Sequence, residues 1–287
     1  MRNYLSLIKF SHTVFALPFA LVGFVLGIHY PGVEFDPVVL ILIILCMIFA
    51  RSAAMAFNRF VDRHIDAVNA RTSQREIPAG VISPGAALTF TLISSGLFIL
   101  CTYFINPLCF ALSPVALAVV LGYSYTKRFT AFSHFILGLG LALAPIGAFL
   151  AVTEVFDVIP VLIGIVVLLW VGGFDIIYAL QDESFDTEHK LHSIPTFLGA
   201  KGALVMSSVV HLMCGAVCIY AVYRMGNDYE ALSWLLWGGA GMFLASLAYQ
   251  HTLVKPGDLS KVNLAFFTTN GLASIIFGTA VILDFYI

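Results

Sequence analysis

Apolar residues run along this chain in nine long stretches, broken by short polar interruptions that often carry proline or glycine. About 20 apolar residues in a row make a helix long enough to cross a bilayer. On that rule the pattern predicts helices over 12–30, 36–58, 84–105, 107–126, 132–153, 157–181, 200–223, 230–251 and 263–284. Pro31-Gly32, Asn106-Pro107 and Pro256-Gly257 mark turns between them. Asn106-Pro107 is the tightest; reading through it would fuse two stretches and leave eight helices. The expected fold is all-α, a polytopic membrane protein built as a nine-transmembrane-helix bundle in a single domain over 1–287. A weak internal repeat divides it into halves of about 1–130 and 131–287. Ile77-Pro78 followed by Gly85-Ala86-Ala87-Leu88 is echoed by Ile194-Pro195 followed by Gly202-Ala203-Leu204.

Composition agrees with that reading. Of 287 residues 60% are hydrophobic and only 10% charged, with a mean hydropathy of +0.98. A soluble domain averages about 45–50% apolar and about 25% charged residues. The net charge of −2 provides no basic surface for nucleic acid, so the partner the chain declares is the lipid bilayer. Cys46, Cys101, Cys109, Cys214 and Cys218 all fall in apolar stretches without metal-site spacing and read as packing residues. The first apolar run continues directly into a full span, so no cleavable leader is expected, and no C-terminal prenylation box is present.

Lys and Arg set the expected orientation. Arg2, Lys9, Arg59, Arg63, Arg71, Arg75, Lys127, Arg128, Lys190, Lys201, Lys255 and Lys261 fall on one side of a strictly alternating bundle. Only Arg224 falls on the other, and Arg51 lies within the second span. This places the N-terminus in the cytoplasm, in what is expected to be a bacterial inner membrane. The two longest loops, 67–83 and 187–199, share that side, where long loops more often serve as lids than as passive connections.

Two acidic clusters flank those loops. Asn58, Asp62 and Asp66 follow one another at four-residue intervals, one stripe down a helix. Asp175, Tyr178, Asp182 and Asp186 stay close to one face at i, i+3, i+7 and i+11. Asp62 to Asp182 and Asp66 to Asp186 are each 120 residues, suggesting two halves of one metal site. Both clusters are expected at C-terminal helix ends, where the helix dipole and stacked like charges disfavour carboxylates. Cations must then be supplied, and oxygen donors without His or Cys favour Mg²⁺. Mg²⁺ completes its shell with water and substrate phosphate, so the expected ligand is a diphosphate. Lys127 and Arg128, with Arg71 and Arg75, are candidates to grip its oxygens. Arg51, about 10 Å deeper than Asn58 by helix rise, needs an anionic partner. That partner is either a protein acid such as Asp175 or a substrate carboxylate held in a bidentate fork.

The segments Asn58-Arg59-Phe60-Val61-Asp62-Arg63-His64-Ile65-Asp66 and Tyr178-Ala179-Leu180-Gln181-Asp182-Glu183-Ser184-Phe185-Asp186 resemble the paired acidic motifs of the UbiA superfamily of intramembrane prenyltransferases. The Tyr123-x3-Lys127-Arg128 element and nine expected helices extend the likeness over nearly the whole chain. Arg59 departs from it, standing where many members carry a second acid; at about 100° off the stripe it is expected to miss the metals and to touch diphosphate or lipid headgroups.

The resemblance implies transfer of a polyprenyl group from polyprenyl diphosphate to the ring of an aromatic acid. Mg²⁺ on Asn58, Asp62, Asp66, Asp182 and Asp186 would act as a Lewis acid on the leaving diphosphate, with Lys127 and Arg128 stabilising the same charge. Tyr123 and Tyr178 would contact substrate, and Arg51 matches the position that approaches an aromatic carboxylate. The ring proton would pass to Asp175 or to released diphosphate. An apolar chamber lined by aromatic residues would keep water from the allylic cation. Phe10-Ser11-His12-Thr13-Val14-Phe15-Ala16-Leu17-Pro18 and the Arg-rich 71–75 look most like the branch acting on 4-hydroxybenzoate, for ubiquinone, or on a dihydroxynaphthoate, for menaquinone. The competing class is a cation-coupled transporter, but transporters place ion sites near the midplane on broken helices.

Overall fold

A computed structural model describes residues 6–7 and 15–287. Arg2, Lys9, the stretch 10–14 and the start of the first expected span lie outside the described residues. Among the described residues the chain is helical throughout, with α1 (Leu17–Ile28), α2 (Pro37–Val68), α3 (Pro84–Ile105), α4 (Pro107–Thr126), α5 (Ser133–Thr153) and α6 (Val158–Ala179). A 3-10 turn, Leu180–Asp182, leads into a short α7 (Glu183–Glu188). Then come α8 (Ile194–Asp228), α9 (Trp234–Leu253), a π turn over Leu264–Thr269 and α10 (Asn270–Asp284).

Each expected span contains a helix, and among the described residues seven segments are long and apolar enough to cross a membrane. The described α1 is short, and the α9 segment is diluted by Tyr249, Gln250 and His251 at its end. Asn106 separates α3 from α4 in an extended conformation. Its Oδ1 accepts from the Cys109 amide at 2.7 Å, so the fused alternative fails. Helix starts are set by local chemistry. Asp36, Ser83 and Asp157 cap α2, α3 and α6, each accepting a first-turn amide. Ser193 and Thr196 close a reciprocal capping box on α8.

Three boundaries differ from the sequence expectation. Helix α2 runs ten residues past 58, so Asn58, Asp62 and Asp66 lie inside the helix. The stripe through Asp175 and Asp186 is broken by the 180–182 turn, which makes Asp182 the N-cap of α7. The dipole of α7 therefore favours Asp182 and Asp186, opposite to the expectation of a C-terminal end, although α7 is too short for a large effect. The loop expected over 187–199 shrinks to 189–193 because the Ser193 cap starts α8 early. Gly199, at φ +68°, then interrupts α8 as only glycine does readily.

The chain forms two compact units. One contains α2, α3 and α4, with α2 against α3. Leu7, Ala56, Ile77, Ile82 and Ala87 form a buried apolar cluster that fastens the 69–83 loop within this unit. The other contains 15–35 and 126–287, with α6 at its centre between α5 and α8. Trp170, Ile163, Val166, Val167 and Ile176 of α6 are entirely buried. Small residues let these backbones approach: a Cβ at Gly23 would overlap the Pro145 carbonyl, and one at Gly138 the Leu168 carbonyl.

Side chains of α8 then bond to carbonyls of α6. Ser207 Oγ donates to Gly173 O at 2.7 Å, His211 Nε2 to Trp170 O at 3.1 Å and Cys214 Sγ to Val166 O at 3.4 Å. Among the described residues all five cysteines are free thiols.

Gly138→Ala and Gly147→Ala separate packing from helix propensity, since nothing lies within 4 Å of a Cβ at Gly147. Thermal unfolding in detergent should show Gly138→Ala destabilised by about 1–3 kcal/mol through overpacking. Gly147→Ala should be unchanged or stabilised by up to about 1 kcal/mol.

Candidate functional site

In the first unit the acidic stripe of α2 is held by neighbours from its own helix and the following loop. Asn58 Nδ2 donates to Asp62 Oδ2 at 2.9 Å. Arg75 reaches back from the loop to Asp66 Oδ1 at 2.7 Å, and Thr72 Oγ1 donates to the Asp66 carbonyl at 3.2 Å. Asn69 Oδ1 accepts from the Arg71 amide, forming a local turn that leaves Arg71 exposed. The expected lid is thus pinned to the helix it follows. Asp66 is buried, and its Oδ2 has no hydrogen-bond partner.

Arg59, one residue past Asn58, is the residue expected about 100° off the stripe. It is 5% exposed and interacts electrostatically with Asp66, Glu76 and Asp62. It belongs to the charged cluster. Arg51 is half-buried on α2, and Tyr123 is half-buried near the end of α4.

In the second unit Asp182 and Asp186 are buried on the 180–182 turn and α7. Lys127 Nζ stands 3.6 Å from Asp186 Oδ2, a charge pair too long for a hydrogen bond, and that oxygen has no hydrogen-bond partner. The Lys127 carbonyl accepts from the His192 amide at 2.7 Å, which fastens the 189–193 loop beside the cluster. Arg128 is exposed. Tyr178 packs against Phe266 of the π turn, ring centroids 4.0 Å apart, and Phe266 also touches Phe15 and Phe174. These rings form an aromatic wall within the second unit.

Asp175 has an unforeseen partner, His134, whose Nδ1 lies 2.7 Å from Asp175 Oδ2. The sequence offered no hint of it, since His134 sits alone near the start of an apolar helix.

The structure thus gathers Arg59, Asp62, Asp66 and Arg75 in the first unit and sets Lys127 beside Asp186 in the second, while His134 carried no signal in the sequence. Among the described residues no three His, Cys, Asp or Glu side chains gather closely enough to hold a metal alone. The donor chemistry nevertheless fits a hard divalent cation. Each cluster presents a buried carboxylate oxygen without a hydrogen bond, and Mg²⁺ draws on substrate phosphate and water as well as protein.

Comparison with known proteins places this geometry in context. Residues 16–272 match the model of the UbiA prenyltransferase family. A 4-hydroxybenzoate octaprenyltransferase of Nitrosomonas europaea is 30% identical over 87% of this chain and 83% of its own length. One from Vibrio atlanticus is 27% identical over 83% and 81%. The apo structure of a UbiA homolog from Aeropyrum pernix K1 superposes with a TM-score of 0.84 at 31% identity, covering 95% of this chain and 98% of that one. A UbiA homolog from Archaeoglobus fulgidus, solved bound to GPP and Mg²⁺, shares the fold at 19% identity and a TM-score of 0.75, covering 99% and 100%.

The Arg75–Asp66 pair can be tested directly. Thermal unfolding of Arg75→Gln, Asp66→Asn and the double variant should give a coupling of about 1 kcal/mol, modest because Arg75 is a quarter exposed. Both single variants should speed protease cleavage within 69–83; additive effects would show that the pair does not anchor the loop.

Proposed function

The chain belongs to the UbiA prenyltransferase family, and from that premise we propose that it transfers a polyprenyl group from polyprenyl diphosphate to the ring of a 4-hydroxybenzoate-type aromatic acid. It is an enzyme of the membrane, in the class of prenyltransferases. The observation that carries the reading is the pair of acidic clusters, each with a bare buried carboxylate oxygen beside a cation. The names of the 4-hydroxybenzoate octaprenyltransferases it resembles support the acceptor.

Asn58, Asp62, Asp66, Asp182 and Asp186 are the residues that would hold Mg²⁺. When bound, the metal supplies Lewis-acid neutralisation of the diphosphate. Lys127, Arg128 and Arg71 bind diphosphate oxygens and favour departure of the leaving group with the electron pair of the broken C–O bond. Tyr178 and its aromatic neighbours shield the allylic carbon from water and face its positive charge with ring π-density. Tyr123 contributes a further substrate contact. A ring carbon of the acceptor forms the new C–C bond, and the proton it carried then leaves to restore aromaticity. Arg51 holds the ring carboxylate, which the reaction retains. Nine membrane crossings, an N-terminus in the cytoplasm and a site opening to that side complete the proposal, supported by the one-sided distribution of Lys and Arg. A bacterial inner membrane is the expected setting.

Purified protein should be assayed with Mg²⁺ or a chelator, a polyprenyl diphosphate and a panel of aromatic acids, with product read by mass spectrometry. Prenylated 4-hydroxybenzoate formed only with Mg²⁺ is the expected result. Product from a dihydroxynaphthoate alone would move the enzyme to the menaquinone route. Absence of any product would remove the reading.

Asp62→Ala and Asp182→Ala should each lower turnover by about 100-fold or more, as loss of a main electrostatic stabiliser does. Arg51→Ala should raise KM for the aromatic acid by about 10-fold, the size of a lost charge-assisted hydrogen bond. It should leave KM for the prenyl diphosphate nearly unchanged; equal effects on both would assign Arg51 a structural ion pair.

A further inference from the structure

The geometry points to His134 as the residue that positions Asp175 to take the ring proton, an assignment that rests on the prenyl-transfer reading above. His134 is completely buried at the start of α5. Its two ring nitrogens face different elements. Nε2 lies 3.3 Å from the amide of Ile194, the first residue of α8. Nδ1 lies 2.7 Å from Asp175 Oδ2 on α6.

An amide N–H can only donate, so Nε2 must present its lone pair to Ile194. The ring hydrogen is thereby assigned to Nδ1, where it donates to Asp175. The first-turn amides of α8 lack helical partners, so the tautomer is set by a helix that must begin at this point.

This assignment separates two roles that an imidazole beside a carboxylate could play. A relay would have to accept a proton from Asp175, but Nδ1 already carries one and Nε2 is committed to the Ile194 amide. His134 therefore acts as a clamp: it occupies Oδ2 and leaves Oδ1 to take a proton. Asp175 is suited to that use, because its side chain keeps 15% of its surface while His134 keeps none. It lies on α6 seven residues before Asp182, with the 180–182 turn between them. That separation leaves room for the diphosphate near Asp182 and the ring being prenylated near Asp175.

The step balances simply. The ring carbon that has formed the C–C bond gives its hydrogen to Asp175 Oδ1 as a proton, and the C–H electron pair returns to the ring. Asp175 becomes the carboxylic acid while its Oδ2 still accepts from His134 Nδ1–H. Released diphosphate, the other base available, would make both residues dispensable for this step.

Isotopic substitution on the acceptor distinguishes these possibilities. Turnover should be compared for 4-hydroxybenzoate and its form deuterated at the ring carbons beside the hydroxyl, in wild type, Asp175→Asn, His134→Phe and His134→Asn. Asp175→Asn and His134→Phe should lower kcat by about 100-fold, the scale of a lost general base. They should also develop a primary isotope effect absent from wild type, with KM for the prenyl diphosphate little changed. His134→Asn keeps an N–H near the Nδ1 position; it should recover about tenfold over His134→Phe, on the scale of one charge-assisted hydrogen bond, and lose the isotope effect.

A merely structural clamp would reduce folded yield and kcat without exposing an isotope effect, and that result would overturn the proposal. If His134→Phe does not fold, Asp175→Asn is decisive by the same measure, since an isotope effect of unity there removes the base. A wild-type protein that forms no product with any aromatic acid removes the transfer reading itself, and the role of His134 with it.

Discussion

A carboxylate taken out of bulk water must find donors or a cation, and much of this structure is arranged around that requirement. Three buried aspartates show how differently it can be met. Asp284, at the end of α10, accepts from the Ser233 amide, the Ser233 hydroxyl and the Leu236 amide, and so closes the start of α9. Asp66 and Asp186 are as deeply buried, yet each retains an oxygen without a hydrogen bond. Equal burial with unequal satisfaction separates a carboxylate that builds the fold from carboxylates with bonding capacity to spare. The first kind has both of its oxygens bonded within the chain. The second kind leaves part of its bonding capacity unused within the chain, at a cost that a neighbouring Arg75 or Lys127 partly offsets.

The second unit has to hold such groups while packed helix against helix in an apolar medium, where the hydrophobic effect does little to drive association. Backbone contact at Gly23 and Gly138 and the bonds from α8 to α6 carbonyls supply the needed specificity. The same logic extends to α9 and α10. Gln250 joins His211 to Asn270, Trp170 Nε1 donates to Asn270 Oδ1, and Asn270 Nδ2 donates to the carbonyls of Ala265 and Phe266. Those carbonyls belong to the π turn, whose altered hydrogen bonding leaves them open to a side-chain donor. The turn then presents Phe266 to Tyr178, so a packing network far from the acids shapes the wall beside them.

How much of this was legible in the sequence follows from the range of each interaction. The helices, the Asn106 break and the acidic stripes are written in residues close together along the chain, and the apolar period reveals them. The end of α2 was placed too early because polarity after residue 58 looks like solvent exposure, whereas here it is a charged cluster inside a continuing helix. The α7 interruption was hidden because a stripe at i, i+3, i+7 and i+11 is equally compatible with an unbroken helix. His134 was invisible for a different reason: its partners are Asp175 and Ile194, distant in sequence, and nothing local sets it apart from a packed core histidine.

The basic residues carry a last lesson about reading charge in membrane proteins. Lys and Arg concentrated beside apolar spans are ordinarily explained by topology, and that account is sufficient for an exposed residue such as Lys201. It is not sufficient for Arg59, which is buried, or for Arg75, whose guanidinium is bonded to a buried carboxylate. Orientation and chemistry are not rival explanations for these two. A residue selected for the correct side of the membrane is also within reach of any acidic cluster on that side, and burial decides whether it takes up the second task. The fraction of a cation withdrawn from solvent therefore tells more about its chemical role than its place in the count of positive charges.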